Sequence, residues 1–531
     1  MPSQAAGNRL VGIIARRSQS EFFMKVPLCS LDFLERAETV YPDRIAVVDE
    51  PAQPATPLSQ LTYAQLGQRV RALSAGLDAL DIAQGARIAV VSHNSARLLE
   101  LLYSVPAFGR IFVPINFRLK PGEIEYIVNH CGAEMLLVDP ELAEVVSGLK
   151  VKHRLVLGEE SDRLHRFDSE PRPWQPDEDA TATINYTSGT TAMPKGVQIT
   201  HRNIWSNAST FGWHLGINDR DIYLHTLPMF HCNGWGMPFA LAGMGAGQIV
   251  LRQVDGPEIL RRIERHGVTV LCGAPAVANI ILDAAESWDG PIPGSGRVRM
   301  VVAGAAPPTR TLERMETVLG WEVCQIYGLT ETSPLLTINR PRGEWDDLSP
   351  SERAQKLNRA GAPVIGARLR SDESGEICAR SNVIMQGYWE QPEATAEAIR
   401  DGWFHTGDGG VVDDEGYVHI QDRKKDVIIS GGENVSSIEV EDVLFTHPAI
   451  SEVAVIGVPD EKWGETVKAL VVSAGEVSER ELIDYCRERL AHYKCPTSIE
   501  FRSELARTAT GKLQKFKLRE PYWKDMDRQV N

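Results

Sequence analysis

The sequence predicts an α/β protein with a large N-terminal domain of parallel-rich sheets and a small β subdomain, followed by a mobile α+β C-terminal domain. Three observations carry this expectation. Short apolar runs alternate with amphipathic stretches from about Leu31 to Asp422, the rhythm of a largely parallel sheet covered by helices. Beyond Gly375 the texture changes to short strands parted by Gly and Asp turns. After the polar stretch Asp422-Arg423-Lys424-Lys425-Asp426, which reads as a hinge, comes a compact unit of about a hundred residues, a common domain size. At 531 residues the chain exceeds what one hydrophobic core supports. The expected division is an N-terminal extension over 1–30, a large domain over 31–422 and a small domain over 423–531.

The elements follow in order. Arg87–Ser92 reads as a buried strand, Ala96–Phe108 as a helix and Ile111–Ile115 as the next strand. Pro121 opens a helix, where its missing N–H costs nothing, and Met135–Asp139 is strand again. The same rhythm returns at Val268–Cys272, Arg299–Ala303 and Glu322–Ile326, and Gly375–Ala379 begins the β-rich part. In the last unit, strands are expected at Val427–Ser430, Val453–Gly457 and Lys468–Val472, with helices at Ser437–Thr446 and Ser478–Ala491.

Composition narrows the function. A formal charge of −15 argues against a general nucleic-acid binder or a polybasic membrane-surface protein. Anionic ligands must then be held by local groups. The 8 cysteines show no CxxC pair and no metal-ligand spacing, which fits reduced thiols in a cytoplasmic setting. No run has the length and apolarity of a membrane span. The first thirty residues carry Arg9, Arg16, Arg17 and Lys25 against one acid, Glu21. They read as a disordered extension before Met24, with organellar import left open.

One string concentrates chemistry: Tyr186-Thr187-Ser188-Gly189-Thr190-Thr191-Ala192-Met193-Pro194-Lys195-Gly196-Val197. Free backbone N–H groups, rotatable hydroxyls and one cation are what polyphosphate oxygens need. The GxxxxGK[ST] pattern of kinase-type loops is absent. This string resembles the phosphate loop of the adenylate-forming superfamily, which holds acyl-CoA synthetases, luciferases and peptide-synthetase adenylation domains. The resemblance runs from about Leu31 to Lys517, with further motifs in the family's order.

Pro228-Met229-Phe230-His231-Cys232-Asn233-Gly234-Trp235-Gly236 resembles the segment carrying the acyl-pocket histidine and aromatic, here His231 and Trp235. Gly304-Ala305-Ala306-Pro307 resembles the turn against adenine, with Gly304 also beside the acid. Gln325-Ile326-Tyr327-Gly328-Leu329-Thr330-Glu331-Thr332 resembles the signature whose tyrosine packs on adenine and whose glutamate holds magnesium. Asp408, in Gly402–Asp408, is by similarity the ribose ligand, with Arg423 beside it. Lys425 resembles the pivot, and Gly431 lies in the loop that resembles the pantetheine channel wall. Lys512, in Arg507–Lys512, resembles the adenylation lysine, and Ala506 stands where many relatives have proline.

The resemblance implies an ATP-dependent acid–thiol ligase that uses Mg2+ and coenzyme A and takes a small-molecule carboxylic acid. The carboxylate attacks the α-phosphorus, and the thiol then takes the acyl group after the small domain turns about Lys425. Lys512, His231 and Glu331 are the expected catalytic residues. Elementary chemistry agrees: Asp408 offers two acceptors to a vicinal diol, and Glu331 with the Thr187 hydroxyl offers hard oxygens to Mg2+. Lys512 is a mobile cation for charge developing at the α-phosphate. An apolar Met229-Phe230 and Trp235 point to a short- to medium-chain aliphatic or aryl-alkyl acid. Three alternatives remain at this point: an adenylation enzyme delivering to a carrier protein, a luciferase-like oxygenase and a non-catalytic nucleotide sensor. The first places an aspartate near the position of Cys232, and here that segment holds no acid. Retention of Glu331, Asp408 and Lys512 together argues against the sensor.

Overall fold

The alternation of side chains along a few strands sorts this chain into layers. In Arg87–Val91, Ile88 and Val90 face one core while Ala89 and Val91 face another. In Arg299–Val302, Val301 faces the first of these cores while Met300 and Val302 face a third. Such strands are buried on both faces, as parallel strands under helices must be. The result, in a computed structural model describing residues 25–187, 194–423, 426–430, 433–460, 463–507 and 513–524, is two large sheets with helices between and outside them.

The first sheet has nine strands. Its parallel centre runs Glu322–Tyr327, Arg299–Val302, Val270–Gly273, Ile222–His225, Gly247–Val250 and Ile45–Val48, with antiparallel strands at both edges. The second has seven strands, with Thr181–Thr187, Ile111–Ile115, Arg87–Val91, Met135–Val138 and His153–Val156 parallel to one another. Lys195–Thr200 and Gly387–Tyr388 complete it antiparallel. Helix Ala96–Ala107 is buried along its whole length in the shared core, and the Ser95 hydroxyl caps it by accepting from Leu98 N at 3.1 Å. The outer faces are covered by Pro121–His130 on one sheet and by Gly256–His266 and Pro275–Glu286 on the other.

A third, antiparallel sheet holds Arg368–Ser371, Glu376–Arg380, Ile399–Arg400, Trp403–Val412 and Val418–Arg423. The fourth sheet belongs to the smaller C-terminal domain. It is dominated by a hairpin of Ile450–Asp460 and Gly464–Ser473, longer than the expected Val453–Gly457 and Lys468–Val472. Part of the extra length comes from Pro459 and Asp460, which pair with Glu465 and Gly464 and complete the ribbon without the apolar alternation that marks its middle. Helix Glu479–Arg487 ends before the expected Ala491 because the chain turns there towards a single helical turn at His492–Lys494.

At the other end, the chain joins the large domain earlier than residue 31. Leu28 N donates to Glu178 Oε2 at 3.1 Å, and Ser30 donates to His201 Nδ1 from both its N–H (3.3 Å) and its hydroxyl (3.1 Å). Residues 1–24 lie outside the described residues. No helix among the described residues is long and apolar enough to cross a membrane.

Candidate active site

The phosphate string lies where two antiparallel strands end together. Thr187 closes Thr181–Thr187 and pairs in register with Lys195, which opens Lys195–Thr200. Ser188, Gly189, Thr190 and Thr191 lie outside the described residues. So do Lys425, Gly431 and Lys512, as well as the side chain of Arg423. The backbone of Arg423 is described and pairs with Asp408, so the strand runs one residue past the expected domain end.

Two loops lie at the carboxyl ends of adjacent parallel strands, the usual place for a ligand in such sheets. After Arg299–Val302 comes Gly304, with φ +89°, followed by Ala305 and Ala306, all three exposed. After Glu322–Tyr327 comes Gly328, where a Cβ would meet the Pro334 carbonyl oxygen at 1.5 Å, so no other residue fits. Thr330 and Glu331 then form a single tight turn, closed by the Thr332 hydroxyl, which donates to the carbonyls of Leu329 and Pro334. Gln325 is buried, and the backbone carbonyls of Leu357 and Arg359 beside its side chain assign the amide nitrogen to that side, 3.2 Å from the Arg359 oxygen.

The segment from Tyr327 to Glu331 is anchored at both ends. Tyr327 donates its hydroxyl to Asp408 Oδ2 at 2.8 Å, and Asp408 is only 6% exposed. At the other end, Glu331 Oε1 accepts from the Tyr388 hydroxyl at 2.9 Å, while its backbone carbonyl accepts from Met385 N. Lys195 Nζ stands 4.8 Å over the Tyr388 ring, a cation–π contact. Burial, together with the neighbouring Glu331 carboxylate, pushes the Tyr388 phenol up, so it remains a donor. Nothing in the linear motifs singles out Tyr388; the fold brings it in through a short strand that pairs with Val197, the last residue of the phosphate string. Among the described residues Glu331 Oε2 has no hydrogen-bond partner, and a hard, unshared carboxylate oxygen beside the phosphate strands suits Mg2+.

The segment expected to line the acyl pocket has unusual backbone geometry. Cys232, Asn233, Gly234, Trp235 and Gly236 all have positive φ, between 45° and 76°, winding the chain left-handed before helix Met237–Met244. Three of these are L residues, for which that region is costly. Buried amides hold the turn. The Thr183 hydroxyl donates to Asn185 Oδ1 (2.8 Å), Asn185 Nδ2 to Asn233 Oδ1 (3.2 Å) and Asn233 Nδ2 to Thr183 Oγ1 (2.9 Å), a closed ring. It ties the turn to the strand that leads into the phosphate string. Asn207 Nδ2 donates to the Trp235 carbonyl, and Leu335 N donates to Asn207 Oδ1, tying the same turn to the chain beyond Glu331. His231 is half-buried at the entrance to the turn; Trp235 is 4% exposed and packs in the shared core. Cys232 is fully enclosed, and burial pushes its thiol up, so it is neither a nucleophile nor a partner for an ammonium.

All 8 cysteines are free and buried. Although the sequence spacing shows no metal pattern, the fold brings Asp372, Cys378 and His405 together. The Arg400 guanidinium donates to His405 Nδ1 at 2.8 Å and lies 3.6 Å from Glu376, supplying there the positive charge these carboxylates need.

Comparison with known proteins decides the family. The model of the AMP-binding enzyme family matches residues 34–389, and that of the AMP-binding enzyme C-terminal domain matches 439–512. The chain belongs to the AMP-binding enzyme family. This AMP-binding enzyme is 38% identical to a 2-methylpropanoate–CoA ligase of Humulus lupulus, across 93% of this chain and 95% of that protein. It is 37% identical to a 4-hydroxybutyrate–CoA ligase of Metallosphaera sedula, across 93% and 94%. Among solved structures, the anthranilate CoA ligase AuaEII in complex with anthranoyl-AMP superimposes with a TM-score of 0.83 at 28% identity, covering 94% of this chain and 98% of that one. The α/β fold with a large and a smaller domain is the family's.

Proposed function

We propose that this AMP-binding enzyme activates a small, uncharged carboxylic acid with ATP and transfers the acyl group to coenzyme A, releasing AMP and pyrophosphate. It is an AMP-forming acid–thiol ligase. The observation that carries the site assignment is the double anchoring of residues 327–331. One end is bonded to Asp408, suited to a ribose diol, and the other to Tyr388 beside Lys195 and the phosphate strands. A nucleotide laid along this segment has its sugar at one end and its phosphates at the other.

Adenylation forms a carboxylate oxygen–phosphorus bond and breaks the bond to the pyrophosphate leaving group, with no proton to move. The chain's work is therefore positioning and charge neutralisation. Lys195 and the Thr187–Thr191 string hold the phosphates, and Lys512 meets the charge that builds on the α-phosphate. Mg2+ held by Glu331 and Thr187 would neutralise phosphate charge. In the second step the thiol sulfur attacks the acyl carbon, AMP leaves with the oxygen it gained, and the thiol proton passes to solvent. Gly431, lacking a side chain, leaves the pantetheine path open, and Lys425 serves as the pivot between the steps.

The acid class rests on Met229, Phe230 and Trp235, all apolar and buried, and on relatives that act on 2-methylpropanoate and 4-hydroxybutyrate. A panel of C2 to C10 aliphatic acids, aryl-alkyl acids and α-amino acids, assayed for CoA-dependent AMP formation, tests the reading. Best turnover on a short uncharged acid supports it. Best turnover on an amino acid, or transfer to a carrier protein in place of CoA, overturns it.

A further inference from the structure

The sheet of the C-terminal domain has two differently furnished faces. Along Ile450–Asp460, Val453 and Val455 face helix Ser437–Phe445 through Val440 and Leu444. Ala454 and Ile456 point the other way, where Leu505 and Leu513 pack. Leu505 and Leu513, on either side of residues 508–512, therefore pack on the face opposite that helix, while the long Lys515 side chain further on reaches round to Ser437 and Glu441 at the helix's start.

Asp442 is two residues from both Val440 and Leu444, roughly 200° round the helix, so it points away from its own sheet. Its carboxylate is taken up by the large domain. Oδ1 accepts from Thr309 N at 3.0 Å, and Oδ2 accepts from the Thr309 hydroxyl at 3.0 Å and Asn358 Nδ2 at 3.4 Å. Asn358 Nδ2 also donates to Thr309 Oγ1 at 2.8 Å, closing the cluster. Thr309 is the first residue of helix Thr309–Arg314, preceded by Pro308, which has no side-chain acceptor to cap it. The cap and the negative charge that this helix end favours come from the other domain. The same helix begins just beyond the Gly304–Ala306 turn.

We infer that Asp442 is a latch that holds the C-terminal domain in the orientation used for thioester formation. The inference rests on the ligase reading, in which the two half-reactions need different faces of this domain. In the latched arrangement helix Ser437–Phe445 meets the large domain, and the chain leading into it, Ile428–Ser430 and Glu433–Val435, flanks Gly431. Leu505 and Leu513 lie across the sheet from this contact. A small, polar, half-buried contact of this kind can be made and broken in every cycle.

The test compares two half-reactions in unaltered protein, Asp442→Ala and Asp442→Asn. Asp442→Ala should leave acid-dependent pyrophosphate release within about twofold. It should slow conversion of supplied acyl-AMP and CoA to thioester about tenfold in kcat, with little change in the KM for CoA, the loss expected for hydrogen bonds to a charged acceptor. Asp442→Asn should recover part of that loss, and adding Thr309→Val to Asp442→Ala should cost nothing further. Equal loss in both steps, or loss of adenylation alone, overturns the inference. Hydrogen exchange over residues 304–314 gives a reading independent of the acid, and exchange there should quicken in Asp442→Ala. Unchanged exchange overturns the latch, whereas failure of the ligase reading shows separately, as no pyrophosphate release by unaltered protein with any acid.

Discussion

The hydroxyl of Tyr327 donates a 2.8 Å hydrogen bond to Oδ2 of Asp408, joining the loop beyond one parallel strand to a strand of a different sheet. The bond fixes the orientation of the carboxylate. Tyr327→Phe keeps the ring and loses the bond. It should raise the KM for ATP about tenfold, the worth of a hydrogen bond to a charged acceptor, while the KM for the acid moves little. Steady-state kinetics with each substrate varied in turn checks this.

Tyr388 orients Glu331 from a neighbouring strand, so its loss should appear as a metal defect. Tyr388→Phe should raise the Mg2+ concentration for half-maximal activity about fivefold to tenfold. Saturating Mg2+ should restore most of the turnover. An unchanged Mg2+ titration would remove Glu331 from the metal assignment.

Trp235 is nearly fully buried, so Trp235→Ala carries two expectations. Opening that volume should lower stability by about 3–5 kcal/mol, read by urea unfolding. The surviving protein should shift its preference towards longer acids. Loss of stability without a change in the acid profile would make Trp235 a core residue only.

The crossed pair Lys512→Ala and Gly431→Leu separates the half-reactions. Lys512→Ala should slow pyrophosphate release about 10²–10³-fold and spare conversion of supplied acyl-AMP to thioester. Gly431→Leu should do the reverse. Equal damage to both steps in both variants, with folding intact, would rule out a domain turn.

Acid should loosen the start of the chain first. Burial lowers His201 from its ordinary 6.5 to about 4, although Asp177 opposes the shift, and its Nδ1 accepts from Ser30 only while neutral. The unfolded chain binds this proton more readily than the folded one. Stability is therefore full above about pH 6.5 and falls as pH drops from there through 4. The urea midpoint should decline over that window, and His201→Gln should flatten the decline.

Much of this was legible in the sequence because strands buried on both faces and motif loops are local signals. Arg87–Val91, Ile111–Ile115 and Met135–Val138 lie where their apolar runs put them. The segment around Glu331 was recognisable because its chemistry is contiguous. What sequence reasoning missed depends on long-range placement. Tyr388, Asn185, Asn207 and Asp442 each act on a residue far away in the chain, and an isolated Asn or Tyr carries no sign of its partner. The left-handed turn was half visible, since Asn233-Gly234 and Gly236 are turn residues. The positive φ of Cys232 and Trp235 was not, because nothing about cysteine or tryptophan favours it.

That reversed winding also governs how the acid range of such an enzyme can drift. A residue that replaces Cys232 or Trp235 must accept a backbone that β-branched side chains resist, so valine, isoleucine and threonine are poor substitutes there whatever their fit to the acid. Nor can the following helix absorb an insertion, because handedness inverts at Gly236 and an added residue would rotate every side chain behind it. Diversification is therefore channelled to positions with ordinary backbone, and a mutagenesis library aimed at new acids should keep 232–236 constant and vary their neighbours.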